Sequence, residues 1–171
     1  MKTALIFGSS GLVGKNLLNQ IINNSNYSKI KIFVRSSLEI SDQKVEIINT
    51  DFKDLQKIKN LIIGDDCFFC IGTTKKNSPD KKEYRRIELD LPKQIAQISK
   101  SNNIKSFIFV SSGFADPKNS GDYLKFKGLV EEEIKSLNFE KIGILRPSFL
   151  LGKRKEKRLG EKIGISIFKF L

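Results

Sequence analysis

The stretch YLKFK sets Tyr123 four residues ahead of Lys127, and the same spacing recurs at Tyr27 and Lys31 in YSKIK. A tyrosine and a lysine held together can move a proton. The ammonium steadies the phenolate, so the phenol can give a proton to a substrate oxygen or take one from it. At about 4 Å and an effective dielectric of 20, one ammonium offers about 4 kcal/mol before desolvation losses. With 31 lysines and arginines in 171 residues, spacing alone does not choose between the two copies, but their settings do. Tyr27 and Lys31 straddle the start of an apolar, strand-like run, where residues four apart lie about 13 Å from each other. Tyr123 and Lys127 fall in GDYLKFKGLVEEEIKSLN (121–138), whose pattern is helical, so this pair shares one face.

Other chemistries are removed by composition. Histidine is absent, which excludes Ser-His-Asp and Cys-His catalysis and most zinc sites. Cys67 and Cys70 in CFFC imitate a redox or metal motif, but a metal needs four ligands and two thiols supply half. The segment DDCFFCIG reads as a buried strand with positions 67 and 70 on opposite faces, so both are expected to be buried thiols and no metal is expected. The net charge of +12 and pI near 9.7 favour anionic small molecules such as nucleotides. That charge is spread along the chain except at KRKEKR (153–158) and reads chiefly as solvated surface. The cluster precedes an apolar, helix-spaced tail of Ile163, Ile167, Phe168 and Leu171. Such a tail is expected to pack on its own domain or a second subunit, rather than on nucleic acid or a membrane surface. No run approaches the ~18 apolar residues of a membrane span. MKTALIFGSSG meets glycines where a signal peptide needs a longer apolar core, so the expected location is the cytoplasm.

The elements that must position the pair follow from periodicity. KTALIFG (2–8), KIKIFVR (29–35), KVEIINT (44–50), CFFCIG (67–72), SFIFVSS (106–112) and the start of KIGILRPSFLL (141–151) read as strands. GLVGKNLLNQIINN (11–24), residues 81–102 and residues 121–138 read as helices, and DLQKIKNLI (54–62) as a short helix or turn. Near-continuously apolar strands separated by helices imply a parallel sheet covered on both faces. The fold expected is α/β, a doubly wound parallel sheet in a three-layer α/β/α arrangement. Residues 1–152 form its domain, and 153–171 form a basic helical segment, the start of a small or shortened substrate-side region.

Between the first strand and first helix, GSSGLVG places Gly8, Gly11 and Gly14. A helix N-terminus offers unpaired N–H groups and a positive dipole end to a pyrophosphate. Glycines there remove the Cβ atoms that would block a tight turn, the phosphate or the helix–sheet contact. The spacing is GxxGxxG, and its place at the first strand-turn-helix is the context that gives it meaning. Gly8, Ser10, Gly11, Leu12, Val13 and Gly14 are therefore expected to bind a dinucleotide. An NAD-preferring site carries an acidic residue about 20 positions on, at the end of the second strand. Here that place holds Arg35, followed by Ser36 and Ser37. A guanidinium can clamp a 2′-phosphate that a carboxylate would repel, so NADP is the expected cofactor, with NAD as the alternative.

GSSGLVG, TDFKDL, CIGTT, FVSSGFADP, YLKFKGLVEEEI and ILRPSFLLG follow one another between residues 2 and 152. In this order they resemble the short-chain dehydrogenase/reductase superfamily, in its atypical, extended-like branch, and are most similar to the Tat-interacting oxidoreductase-like proteins. The resemblance implies a Rossmann fold and hydride transfer between NADP(H) and a small carbonyl or alcohol. It also implies roles. Asp51 and Phe52 would lie beside the adenine, and Cys70, Ile71, Gly72 and Thr73 along the adenine-side ribose and pyrophosphate. Ser112 would be the catalytic serine, with Ser111 the lesser candidate, and Tyr123 and Lys127 the tyrosine–lysine pair, touching the cofactor as well. Pro147 and Ser148 would border the nicotinamide, and a homodimer would form through the two long helices. Glu88 stands near where many relatives carry a structural asparagine, so a relay through that position is not expected. The chain ends at Leu171 within a helical pattern, which reads as a minimal or shortened substrate side. That leaves a non-catalytic NADP(H) sensor of the same fold as the alternative function.

Overall fold

The computed structural model describes residues 1–36 and 38–148. Ser37, the end of the ILRPSFLLG motif and the basic segment 153–171 lie outside the described residues.

A strand of unbroken apolar residues can be stable only between two covering layers, and the first strand meets that condition. In β1 (Lys2–Phe7), Ala4, Leu5, Ile6 and Phe7 are all fully buried. Their alternation divides the interior. Ala4 and Ile6 pack with Leu18 and Ile21 of α1 (Leu12–Ile22) and with Ile30, Ile32 and Val34 of β2 (Tyr27–Val34). Leu5 and Phe7 face the larger cluster on the other side. That cluster joins Phe69 of β4 (Asp66–Phe69) and Phe107 and Phe109 of β5 (Ser106–Val110) to Ile95 of α3 (Leu91–Ser101) and Val130 and Ile134 of α4 (Asp122–Ser136). Phe7 stacks on Phe33 with ring centres 4.3 Å apart.

With β3 (Val45–Asn49) and β6 (Lys141–Leu145), the strands form one six-stranded sheet in the order β3-β2-β1-β4-β5-β6. Every pairing in it is parallel. This is the doubly wound Rossmann order, in which the direction of winding reverses between the first and fourth strands. The expected fold is the observed one. The two long helices on one face, α3 and α4, touch each other, and α4 also packs on the segment before α3.

One element departs from its expectation. Residues 81–102 read as a single helix, but a π-helical turn at Arg86–Asp90 separates α2 (Lys81–Arg85) from α3. Pro92 explains the change. It lacks an N–H to bond the carbonyl four residues back, at Glu88, and its ring would collide with that carbonyl. The wider turn absorbs the mismatch and buries three successive residues, Ile87, Glu88 and Leu89. The run at 54–62, read as a short helix or turn, is a 3₁₀ helix, Leu55–Leu61.

Candidate functional site

At the carboxyl ends of β1, β2 and β4, where the winding reverses, lies a cleft of about 240 Å³. Open α/β sheets bind ligands in this position. The glycine loop forms its floor. Gly8 has φ of +92°, and a Cβ there would stand 2.9 Å from the carbonyl carbon of Cys70. A Cβ on Gly14 would stand 2.2 Å from the Gly8 oxygen. Gly8 and Gly14 are thus demanded by the fold itself. Gly11 is different: its φ is −80° and a Cβ would meet only the Gly8 oxygen, at 3.4 Å. It opens α1, whose N-terminus has no side-chain cap and no acidic residue in the first turn. The buried Ser9 hydroxyl beside it has no hydrogen-bond partner among the described residues. An uncapped helix N-terminus over a glycine floor fits a pyrophosphate.

Around this floor the cleft brings together Gly8, Ser10, Gly11, Arg35, Asp51, Phe52, Cys70, Ile71, Gly72 and Thr73 from the sequence-expected set. Leu12, Val13 and Gly14 lie in the first turn of α1, and Ser36 is exposed beside Arg35; these four do not line it. Phe52 has φ of +60°, in the left-handed region that is unusual for a side chain of its size. Three contacts hold that turn. The Phe52 N–H donates to Thr50 Oγ1 (3.2 Å), the Lys53 N–H to Asp51 Oδ1 (2.9 Å), and Arg86 Nη1 to the Phe52 carbonyl (2.9 Å). Burial pushes the thiols of Cys67 and Cys70 up to about 12, so both stay protonated at neutral pH. They are free thiols, Cys67 buried within β4 and Cys70 half-buried just past it.

On α4 the second group assembles. Lys127 is buried and its Nζ lies 5.8 Å from the centre of the Tyr123 ring. The same atom donates to the Val110 carbonyl (3.3 Å) and sits 4.8 Å from the centre of the Phe109 ring. Its counter-charge is Glu88, whose Oε2 is 3.1 Å away and whose side chain is fully buried. The other Glu88 oxygen accepts the Thr73 N–H. The residue set aside as a relay position is therefore the lysine's direct partner. Gly72 joins this group to the cleft, because a Cβ there would be 3.4 Å from Glu88 Oε1 and 4.0 Å from Lys127 Nζ.

Of the two serines after β5, Ser111 is committed to the structure. Its hydroxyl donates to buried Glu131 at 2.5 Å, and Arg146 holds the same carboxylate through Nε and Nη2. Ser112 is half-buried on the turn that follows. The Gly113 N–H bonds the Pro147 carbonyl (3.1 Å), which brings Pro147 and Ser148 beside that turn. Ser112, Tyr123, Lys127, Pro147 and Ser148 lie outside the lining of the 240 Å³ cleft.

The other tyrosine–lysine copy goes elsewhere. Both residues sit within β2, and neither straddles its start. Tyr27 donates its hydroxyl to Asp66 Oδ2 (2.8 Å), and Lys31 bonds the Leu61 carbonyl (3.1 Å). Tyr27 lies at the amino end of the sheet, away from the glycine loop. Sequence reasoning missed Arg86 and Ile87 in the cleft wall, which open the π-turn.

The sequence profile of the NAD(P)H-binding family matches residues 8–163. Protein HTATIP2 of Rattus norvegicus is 32% identical over 98% of this chain and 70% of its own length. The chain belongs to the NAD(P)H-binding family. Protein FMP52, mitochondrial, of Coccidioides immitis is 32% identical over 94% of this chain and 71% of its own length. Among solved structures, the Bordetella bronchiseptica enzyme WbmH in complex with NAD+ superposes with a TM-score of 0.75 at 15% identity. It covers 99% of this chain and 63% of its own. The UDP-N-acetylglucosamine 4-epimerase of Methanobrevibacter ruminantium gives 0.69 at 20% identity, over 85% of this chain and 54% of its own. The chain thus spans less than two thirds of either solved protein, and at these identities the likeness is one of fold. One expectation is overturned. The fungal relatives are named mitochondrial, against the cytoplasmic location inferred from the N-terminal stretch. That inference rested on a missing leader, and the lack of a leader pattern does not specify a compartment. No helix among the described residues is long and apolar enough to cross a membrane.

Proposed function

We propose that this family member binds NADP(H) across the carboxyl edge of its sheet and is an oxidoreductase acting on a small carbonyl or alcohol. The observation that carries the reading is Gly72. This one residue lines the dinucleotide cleft and also lies against the Glu88–Lys127 pair one helical turn from Tyr123. In this reading the N-terminus of α1 and Gly11 hold the pyrophosphate, Asp51 and Phe52 flank the adenine, and Arg35 faces the 2′-phosphate. A bound nicotinamide would supply or accept the hydride. Tyr123 moves the proton at the substrate oxygen, Ser112 steadies that oxygen, and Lys127 favours the phenolate. Pro147 and Ser148, beside the Ser112 turn, border the reacting end.

A second reading, a cofactor sensor without turnover, is favoured by one specific contact. The Glu88 carboxylate at 3.1 Å offsets much of the field that Lys127 would otherwise exert on Tyr123. One experiment separates the two. Titration with NADPH and NADH, read by nicotinamide fluorescence in a chain without tryptophan, is followed by a panel of small carbonyls and alcohols, with Tyr123→Phe as control. Turnover that Tyr123→Phe lowers at least a hundredfold, in line with the loss of a general acid–base group, supports the enzyme. Binding without turnover across the panel leaves the sensor, and no binding of either nucleotide removes both.

A further inference from the structure

Arg86 is the unexplained cation of the cleft. The π-turn aims it at the rim where Arg35 and Asp51 also stand, and its own bonds fix it there. Nε and Nη2 grip the two oxygens of Glu83, each at 2.7 Å, while Nη1 donates to the Phe52 carbonyl. A guanidinium carries five N–H donors, so two remain for a further acceptor. Glu83 is surrounded by cations. Hydrogen bonds from Arg86 hold its carboxyl below the usual range, and the charges of Lys53 and Arg35 add to this. With Glu83 and the Asp51 carboxylate, the three cations carry a formal +1 on one patch at the Asp51–Phe52 turn. A rigid, half-exposed fork with two spare donors, one neighbouring guanidinium and one ammonium suits a phosphate monoester better than a neutral hydroxyl pair.

We infer that Arg86 is a second specificity-determining cation for the 2′-phosphate of NADP(H), and that Glu83 is its internal counter-ion, which weakens phosphate binding by repulsion. The inference rests on the proposed cofactor reading and assigns discrimination to residues beyond Arg35. Arg86 braces the Phe52 turn in the same way for either nucleotide, since both carry adenine. Only its charge toward the 2′ position distinguishes them. Glu83 likewise touches neither the floor of the cleft nor the α4 group.

The test compares the whole chain with Arg86→Gln and Glu83→Gln in binding NADPH, NADH, 2′-AMP, 5′-AMP and inorganic phosphate. Arg86→Gln is expected to weaken NADPH and 2′-AMP about tenfold, on the scale of a lost charge-assisted bond, with NADH and 5′-AMP within twofold. Glu83→Gln is expected to act in the opposite direction, tightening NADPH and 2′-AMP while NADH is unchanged. Inorganic phosphate competing as well as 2′-AMP would show a free-anion site and overturn the nucleotide assignment. Parallel losses for both dinucleotides in Arg86→Gln, or no change in either variant, would overturn the inference and leave the cofactor reading standing. Wild-type protein that binds neither dinucleotide removes both. Should Arg86→Gln unfold, seen by far-ultraviolet circular dichroism, the surface variant Glu83→Gln decides the matter alone by tightening NADPH or failing to.

Discussion

Lys127 and Glu88 are, at side-chain exposures of 4% and 0%, a charge pair taken almost wholly out of water. Such a pair is sustained only while both members are present. Removing one leaves a buried charge unopposed, at a cost of about 3–5 kcal/mol, whereas removing both can be nearly neutral. Glu88→Gln keeps an oxygen for the Thr73 N–H, and Lys127→Met keeps most of the lysine's apolar volume. Each alone is therefore expected to lower stability by about 3 kcal/mol or more, and the double variant to recover most of that loss. A double-mutant cycle in urea measures it; additive losses would mean that the two residues are not coupled. The two thiols, Cys67 buried and Cys70 half-buried, give a second prediction at this scale. Because burial pushes Cys67 and Cys70 up to about 12, neither reacts appreciably with an aromatic disulfide at pH 8 in the native protein. Both are titrated once the chain is unfolded. Prompt reaction of one native thiol would show that its environment is more open than this.

At the scale of elements, the β1–loop–α1 unit separates residues that build the fold from those that await a ligand. An Ala at Gly14 would drive its methyl to 2.2 Å from the Gly8 oxygen, while one at Gly11 meets an ordinary neighbour at 3.4 Å. Gly14→Ala is expected to cost about 3 kcal/mol, as overpacking against backbone does. Gly11→Ala is expected to cost under about 1 kcal/mol, as a weaker N-cap, yet to reduce NADPH binding about tenfold or more by blocking the anion's approach. Thermal melting with and without NADPH separates the two, and equal binding by Gly11→Ala would place the phosphate elsewhere. The strand–glycine–helix order made this unit legible from sequence, as did the helical setting of Tyr123 and Lys127. The π-turn was not legible: one proline in an otherwise regular helix reports a disturbance but not its form. That turn carries Arg86 and Ile87 of the cleft lining and the Glu88 partner of Lys127, so these stayed hidden with it. Gly128 gives the same lesson on α4. A Cβ there would fall 2.2 Å from the Pro117 nitrogen, a contact between α4 and the loop leading into it that helical periodicity does not announce.

Across the whole molecule, the parallel order of the sheet followed from apolar runs alternating with helices, but the partners of its charged groups did not, because each is met only after folding. Those partners set how stability depends on pH. Burial would raise Glu131, but hydrogen bonds from Arg146 and Ser111 outweigh it and hold the carboxyl below its ordinary value. Burial would also raise Asp66, and the bonds from Ser106, Lys2 and Tyr27 outweigh it in the same way. A group lowered by folding contributes stability above its unfolded value and loses it as pH falls through the folded one. Stability is therefore expected to decline below about pH 4.5, the region where unfolded carboxylates titrate. Tyr27 has the opposite sign. Burial first, and then its bond to Asp66, raise it above its ordinary 10.0. Its contribution is present below that value and is lost as the pH climbs past it. The same tyrosine thus shapes both arms of the profile, from the end of the sheet opposite the cleft. Urea midpoints measured from pH 3 to 11 should show a plateau near neutrality that falls away on each side. Glu131→Gln should lower the plateau, giving up charge-assisted bonds of about 1.5–3 kcal/mol, and make the acid arm shallower. Tyr27→Phe should soften both arms, because Asp66 loses a donor and the alkaline titration loses its group. If Tyr27→Phe leaves the alkaline arm unchanged, that arm belongs to the lysines, and the Tyr27–Asp66 bond contributes nothing measurable to it.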